Sequence, residues 1–219
     1  DFCLSRGLGD VYKRQKKDNL EVPRIGIRFH IPQDMNIVEY FGRGPEENYI
    51  DRNAGSMVGR YKTIADSMYV DYVRPQENGH RTDTRWVVLS DKSGRGLLVQ
   101  AENTIGFNAL RNTIEDFDAE DSSRPYQWRN RSPEEIENHD LDEAKNAMRK
   151  MTHVNDIIPR DFVEVCVDMK QQGVAGYDSW GAKVQPGYTI PANQNYEWGF
   201  TFVPIRAKAD VDKSLRYDY

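Results

Sequence analysis

Three short stretches of the sequence gather residue types that can do chemistry. The first, Gly42-Arg43-Gly44-Pro45-Glu46-Glu47-Asn48-Tyr49, sets two glycines around a cation and could suggest a phosphate loop. Such a loop needs its glycines to open a helix and a Lys-Ser or Lys-Thr pair, or else the longer dinucleotide fingerprint, and neither is here. Glu46 and Glu47 do not make an acid and base pair either, because neighbours on an extended chain point to opposite sides. The stretch reads as a tight turn leaving a sheet, carried by Gly44, Pro45, Glu47, Asn48 and Tyr49 and continued by Asp51 and Arg52.

The second stretch, Tyr72-Val73-Arg74-Pro75-Gln76-Glu77-Asn78-Gly79-His80-Arg81, packs Glu, Asn, His and Arg densely enough to resemble a polar site. Turn chemistry accounts for most of it. Asn78-Gly79 is a strong turn signal, Pro75 removes a ladder donor, and an arginine after such a turn pins the loop by bonding carbonyls or a carboxylate. A structural loop is therefore favoured over a ligand contact, with Glu77, Asn78, Gly79 and Arg81 as its working parts.

The third stretch, Gly173-Val174-Ala175-Gly176-Tyr177-Asp178-Ser179-Trp180-Gly181, follows a strand and lets the backbone turn sharply and approach another body closely. A core tryptophan is expected inside an alternating strand, as Trp86 and Trp198 are expected to be, rather than after a glycine-rich turn. Physical reasoning leaves Trp180 balanced between two roles, a ring folded back on its own loop and a ligand platform. A sugar is one natural ligand for an exposed indole face.

Other candidates are weaker. Cys3 and Cys166 form neither a disulfide framework nor a paired metal-ligand spacing. His139 reads as a surface residue at a helix end and His153 as a strand residue, with no second histidine at ligand spacing. No metal site is assigned. A net charge of −5 argues against nucleic acid as a partner. No run of about eighteen apolar residues exists, so no membrane partner is expected.

The elements that must position these stretches are mostly strands. Ile25, Ile27, Phe29 and Ile31 alternate with Gly26, Arg28 and His30, the period of a half-buried antiparallel strand. Similar runs follow at 37–41, 86–90, 96–102, 162–169 and 196–205, separated by Gly, Pro, Asn and Asp. Repeated short strands without crossover helices predict an all-β sandwich or barrel. One helix is expected, over 132–151, with Ser132 as cap, Pro133 in the first turn and acidic residues at its positive end. The polar segment from Glu115 to Arg131 is expected to be a surface loop. Asp10-Val11-Tyr12-Lys13-Arg14-Gln15 resembles the translation of a sequencing-library adapter end, so residues 1–18 are expected to be a non-native or disordered leader.

Taken together and in order, Gly42-Arg43-Gly44-Pro45-Glu46-Glu47-Asn48-Tyr49-Ile50-Asp51-Arg52, the 72–81 stretch and the 173–181 stretch resemble the carboxy-terminal domain of the large retaining β-galactosidases. The likeness runs from about Pro23 to Ile205. It implies an antiparallel β-supersandwich similar to galactose mutarotases, incomplete on its amino-terminal side, with residues 19–219 as its carboxy-terminal portion. It also implies further domains, among them a (β/α)-barrel that supplies both catalytic glutamates. Retaining hydrolysis needs an acid/base carboxyl and a nucleophilic carboxylate about 5–5.5 Å apart. No catalytic residue is therefore assigned to this chain.

Trp180 matches the family's tryptophan that reaches the rim of the barrel's active site as a sugar platform, and Asp178 is a second substrate-binding candidate. The family often has glycine where this chain has Ala175, and Gly or Asp at Tyr177. The resemblance implies no cofactor in this chain, with magnesium and sodium held by the barrel of the parent. The partners it implies are a galactoside such as lactose and the remaining domains of a homo-oligomeric bacterial enzyme of the cytoplasm or periplasm. Two alternatives remain open. One is a separate small subunit or carbohydrate-binding module. The other is a mutarotase-like protein, for which His80 with Glu77 is the local histidine and carboxylate pair.

Overall fold

The computed structural model describes residues 21–117, 154–178 and 181–215. Seven antiparallel strands dominate it: β1 (Arg24–Pro32), β2 (Ile37–Gly44), β3 (Met57–Ile64), β4 (Arg81–Ser90), β5 (Gly96–Leu110), β6 (Phe162–Gln171) and β7 (Phe200–Ile205). The described helices are short, Ile114–Phe117 and Lys208–Ser214 among them. None is long and apolar enough to cross a membrane. The helix expected over 132–151 lies outside the described residues, as do His139, His153 and Cys3.

The strands run in the order β1-β6-β5-β4-β2-β3, and β7 also pairs with β5. The long β5 makes a fork. Its first part, Gly96 to Ala101, pairs with β7, and its last part, Gly106 to Leu110, pairs with β6. The β1 and β7 branches then meet, with the Phe29 and Phe202 rings edge to face at 5.4 Å. A sheet that forks and closes over a shared core gives the all-β sandwich class expected from the strand pattern.

Alternation explains the core. Val38 and Tyr40 from β2, Val87 and Leu89 from β4, Val99 and Phe107 from β5, and Val163, Val165 and Val167 from β6 point to one side and form one cluster. Each such side chain contributes roughly 1.5–3 kcal/mol through burial. The opposite face near β4 carries Trp86, Val88 and Leu98, covered by Val211 of the closing helix.

Several boundaries depart from the expectation. β3 had no sequence prediction; it is an edge strand with Met57 and Val58 exposed, so little alternation marks it. β4 begins at Arg81, inside the second motif, through a bulge where Asp83 has φ +51°. β5 continues eight residues beyond Glu102 to Leu110. β7 starts at Phe200 rather than Tyr196, so Trp198 precedes the strand and packs on Phe200 with centroids 4.8 Å apart. Glu115 lies within a helical turn that buries Asp116 and Phe117, so the surface loop does not begin there.

Candidate functional site

The 45–53 turn is held from within. Asn48 is fully buried; its Nδ2 donates to the Arg43 and Glu46 carbonyls at 3.1 and 3.0 Å. Its Oδ1 accepts from the Thr82 amide at 2.9 Å and the Thr82 hydroxyl at 2.6 Å. This one side chain replaces the ladder bonds the turn gives up. Gly44 and Pro45 make the entry, joined by a cis peptide.

Glu47 ties the turn to the second motif by accepting from the Gly79 amide at 2.7 Å, from Arg52 at 2.5 Å and from the Tyr72 hydroxyl. Glu46 is exposed, so the two neighbours diverge as expected. Tyr49 is buried beneath Arg52, stacks on His80 at 5.3 Å and donates to Glu77 Oε1 at 3.4 Å. Within 72–81, Pro75 is buried, and Asn78 accepts from the Val70 amide at 3.2 Å and donates to the Gln76 carbonyl at 2.8 Å. Gly79 turns the chain at φ +77°. Arg81 donates to the Gly79 carbonyl at 2.9 Å and to Tyr40 at 3.3 Å, the pinning role expected of it.

Beneath this loop lies a polar layer that sequence reasoning missed. Arg24 grips Asp168 with two parallel bonds of 2.7 and 2.6 Å, donates to Asn108 Oδ1 at 2.5 Å and reaches Glu77 at 3.5 Å. Burial opposes the Arg24 charge, yet the Asp168 carboxylate more than restores it and holds the guanidinium well above its ordinary value. The same burial pushes the Asp168 carboxyl up while Arg24 pulls it back. Two short parallel bonds make the pair ionic.

Asn108 is the hinge of the layer. Its Nδ2 donates to Glu77 Oε1 and to the Asn78 carbonyl, both at 2.9 Å, so its Oδ1 must accept. His80 Nδ1, 3.1 Å from that oxygen, therefore carries the proton. Burial, then the Arg24 charge, pushes the imidazole down to about 3, so the ring is neutral. Gly106 makes room for it, since a Cβ there would crowd Cε1 and Nε2.

This geometry tests the histidine and carboxylate pair. His80 is 2% exposed, and both Glu77 oxygens are taken by Asn108, Tyr49 and Arg24. The cavity that Glu77 shares with Asn108, Glu164 and Cys166 holds about 10 Å³, room for one water and far below a sugar site. Cys166 is buried there, its thiol pushed up by that burial, and is inert. Among the described residues no group of three or more His, Cys, Asp or Glu could hold a metal.

The third motif leaves β6 as a projecting loop. Gln172 donates to the Pro23 carbonyl and Gly173 to that of Tyr188, each at 2.9 Å. Beyond them the grip passes to Asp51 of the first motif, whose Oδ2 accepts from the Ala175 amide at 2.8 Å. Gly173 packs directly on this carboxylate, where a Cβ would collide. Ala175 sits at φ +54°, followed by Gly176 at +84°. Left-handed backbone disfavours a Cβ, so glycine would suit position 175 better than alanine does.

Farther out, Tyr177 is 63% exposed and donates to the Lys183 carbonyl at 3.2 Å. Asp178 is exposed and accepts from the Ala182 amide at 3.1 Å, closing the loop around Gly181. Ser179 and Trp180 lie outside the described residues. The three sequence motifs therefore share one end of the fold, with the first at the centre. Arg24, Asn108 and Asp168 had no sequence signal, because Arg24 and Asp168 stand 144 residues apart.

Residues 6–202 match the family described as beta galactosidase small chain. The chain is 35% identical over 185 residues to a beta-galactosidase of Priestia megaterium, covering 84% of this chain and 15% of that protein. A beta-galactosidase of Halalkalibacterium halodurans is 32% identical over 181 residues, covering 82% and 15%. One of Streptococcus thermophilus is 29% identical over 184 residues, covering 84% and 15%. The chain thus spans about 15% of the length of these curated relatives.

Proposed function

We propose, from the premise that this chain belongs to the β-galactosidase small-chain family, that it forms the carboxy-terminal sandwich of a retaining β-galactosidase acting on terminal β-D-galactosides such as lactose. The observation that carries this reading is the match over 6–202 joined to the small share of each relative that the chain spans. The rest of such an enzyme, including the barrel with its two glutamates, would lie elsewhere in the parent. Magnesium and sodium would bind there too.

This chain's part is to bind and orient. On this reading Trp180 offers an apolar indole face to the galactoside or to the leaving sugar at the rim of the active site, and Asp178 stands beside it in the same loop. The arrangement of the described residues supports a role outside bond cleavage. Glu77, Asp168 and Glu47 are all engaged in ion pairs or internal hydrogen bonds, so none is poised as an acid or a nucleophile.

The test is Trp180→Ala in the full-length enzyme. A platform that binds ground state and transition state alike raises KM and leaves kcat nearly unchanged. We expect KM to rise about tenfold, the equivalent of ~1.4 kcal/mol. A fall in kcat at constant KM would contradict the role. The family's description as a small chain favours one second reading, a subunit encoded apart from the barrel. Co-purification of the two chains from separate genes would establish it.

A further inference from the structure

We infer that Tyr177 is a specificity-determining residue whose ring stacks on the leaving group of the galactoside, favouring a sugar or aryl leaving group over a small alkyl one. The inference rests on the proposed reading of the 173–181 loop as a sugar-binding loop.

The fold does not use this ring. Tyr177 is 63% exposed and belongs to neither core cluster. It is not a single apolar residue on a polar surface either. Tyr188, 37% exposed, stands at the root of the same loop, where its carbonyl accepts from the Gly173 amide at 2.9 Å.

The ring is nevertheless held in place. Its hydroxyl donates to the Lys183 carbonyl at 3.2 Å, across the loop. The backbone on either side is braced as well: the Ala175 amide donates to Asp51 at 2.8 Å, and Asp178 accepts from the Ala182 amide at 3.1 Å. Gly176 and Gly181, at φ +84° and +79°, supply the left-handed turns between these bonds. None of the bonds occupies the ring carbons. A tyrosine fixed at its backbone and at its hydroxyl, with most of its surface in solvent, gives up little conformational freedom when a ligand stacks on it.

The chemistry of the reaction decides which part of the substrate such a ring can meet. A retaining hydrolase flanks the bond it cleaves with two carboxylates about 5–5.5 Å apart, which encloses the galactose ring. A side chain as open as Tyr177 is left for what extends beyond that enclosure, the leaving group. A pyranose or an aryl group offers a face that matches the tyrosine ring in size. A methyl group does not.

The experiment uses the full-length enzyme with Tyr177→Ala, Tyr177→Asp, Tyr177→Phe and, separately, Trp180→Ala. Each is assayed for kcat and KM on lactose, phenyl β-galactoside and methyl β-galactoside. The readout is kcat/KM for lactose and for the phenyl glycoside relative to the methyl glycoside, a ratio that a general loss of folded enzyme does not move. In Tyr177→Ala both ratios should fall about three- to tenfold, the scale of one aromatic contact. Tyr177→Asp, which places a polar residue in an exposed turn, should repeat the fall even where the alanine variant folds poorly. Tyr177→Phe keeps the ring while losing the bond to Lys183, and should hold both ratios close to those of the parent. Unchanged ratios in Tyr177→Ala and Tyr177→Asp, beside a raised KM in Trp180→Ala, overturn the inference alone. An equal fall in Tyr177→Phe also overturns it, because the effect would then belong to the hydroxyl bond. Parental KM in Trp180→Ala on all three substrates overturns the platform reading instead.

Discussion

The polar layer under the 72–81 loop and the projecting 173–182 loop are built from different residue types and held in opposite ways. In the layer, Arg24, Asp168, Asn108, Glu77 and His80 bond to one another, with His80, Asn108 and Asp168 buried and Arg24 and Glu77 partly so. In the loop, the Ala175 amide donates to Asp51, Asp178 accepts from the Ala182 amide, and Tyr177 is exposed. A side chain that is internally satisfied holds the fold and has nothing left for a ligand. A loop on few anchors can carry an aromatic face outward, at the expense of depending heavily on each anchor.

Removing a member of the layer should therefore have the largest effect, and it should fall on stability. Asp168→Ala strands the Arg24 charge and is expected to destabilise by about 3–5 kcal/mol, measured by chemical denaturation. A change in KM without loss of stability would erase the distinction between the two regions. The Trp180 variant makes the converse case, where binding changes and stability moves little.

Acid should sharpen the contrast. Unfolded, His80 takes up a proton near pH 6.5; folded, it resists until about 3, through burial and the Arg24 charge. Between those values the unfolded state binds more protons, so this residue's contribution is lost as pH falls from about 6.5 toward 3. Denaturation midpoints across that window should decline less steeply in His80→Gln than in the parent. An identical slope would mean that the ring is not buried neutral.

The smallest effect belongs to Ala175→Gly. Relief of the left-handed strain should stabilise by up to about 1 kcal/mol, read as a small rise in Tm. A loss of stability would show that Ala175 is not held at φ +54° in solution.

Much of this was legible in the sequence where local rules govern. The alternation of Ile25 to Ile31 gave β1, Asn78-Gly79 gave a turn, and Arg81 proved to pin that turn through the Gly79 carbonyl. Edge strand β3 escaped notice because its solvent face mixes Val58 and Ile64 with Arg60 and Lys62, while its half-buried face carries Gly59, Tyr61 and Thr63, so apolar and polar residues do not alternate. The polar face of β6 was harder still. Glu164, Cys166 and Asp168 follow the period of a wet face, yet all are buried by partners far along the chain. Pairing across 144 residues leaves no trace in spacing. Asp51 stood out only as part of a turn motif, since its tie to Ala175 spans 124 residues.

On the proposed reading, this chain contributes sugar binding and leaves bond cleavage to the rest of the enzyme. The most direct measurement is kcat and KM of Trp180→Ala in the full-length enzyme with a galactoside substrate. A KM raised about tenfold at near-parental kcat is the predicted result, the signature of lost uniform binding. A kcat reduced a hundredfold at unchanged KM would place this chain in the chemical step and contradict the account.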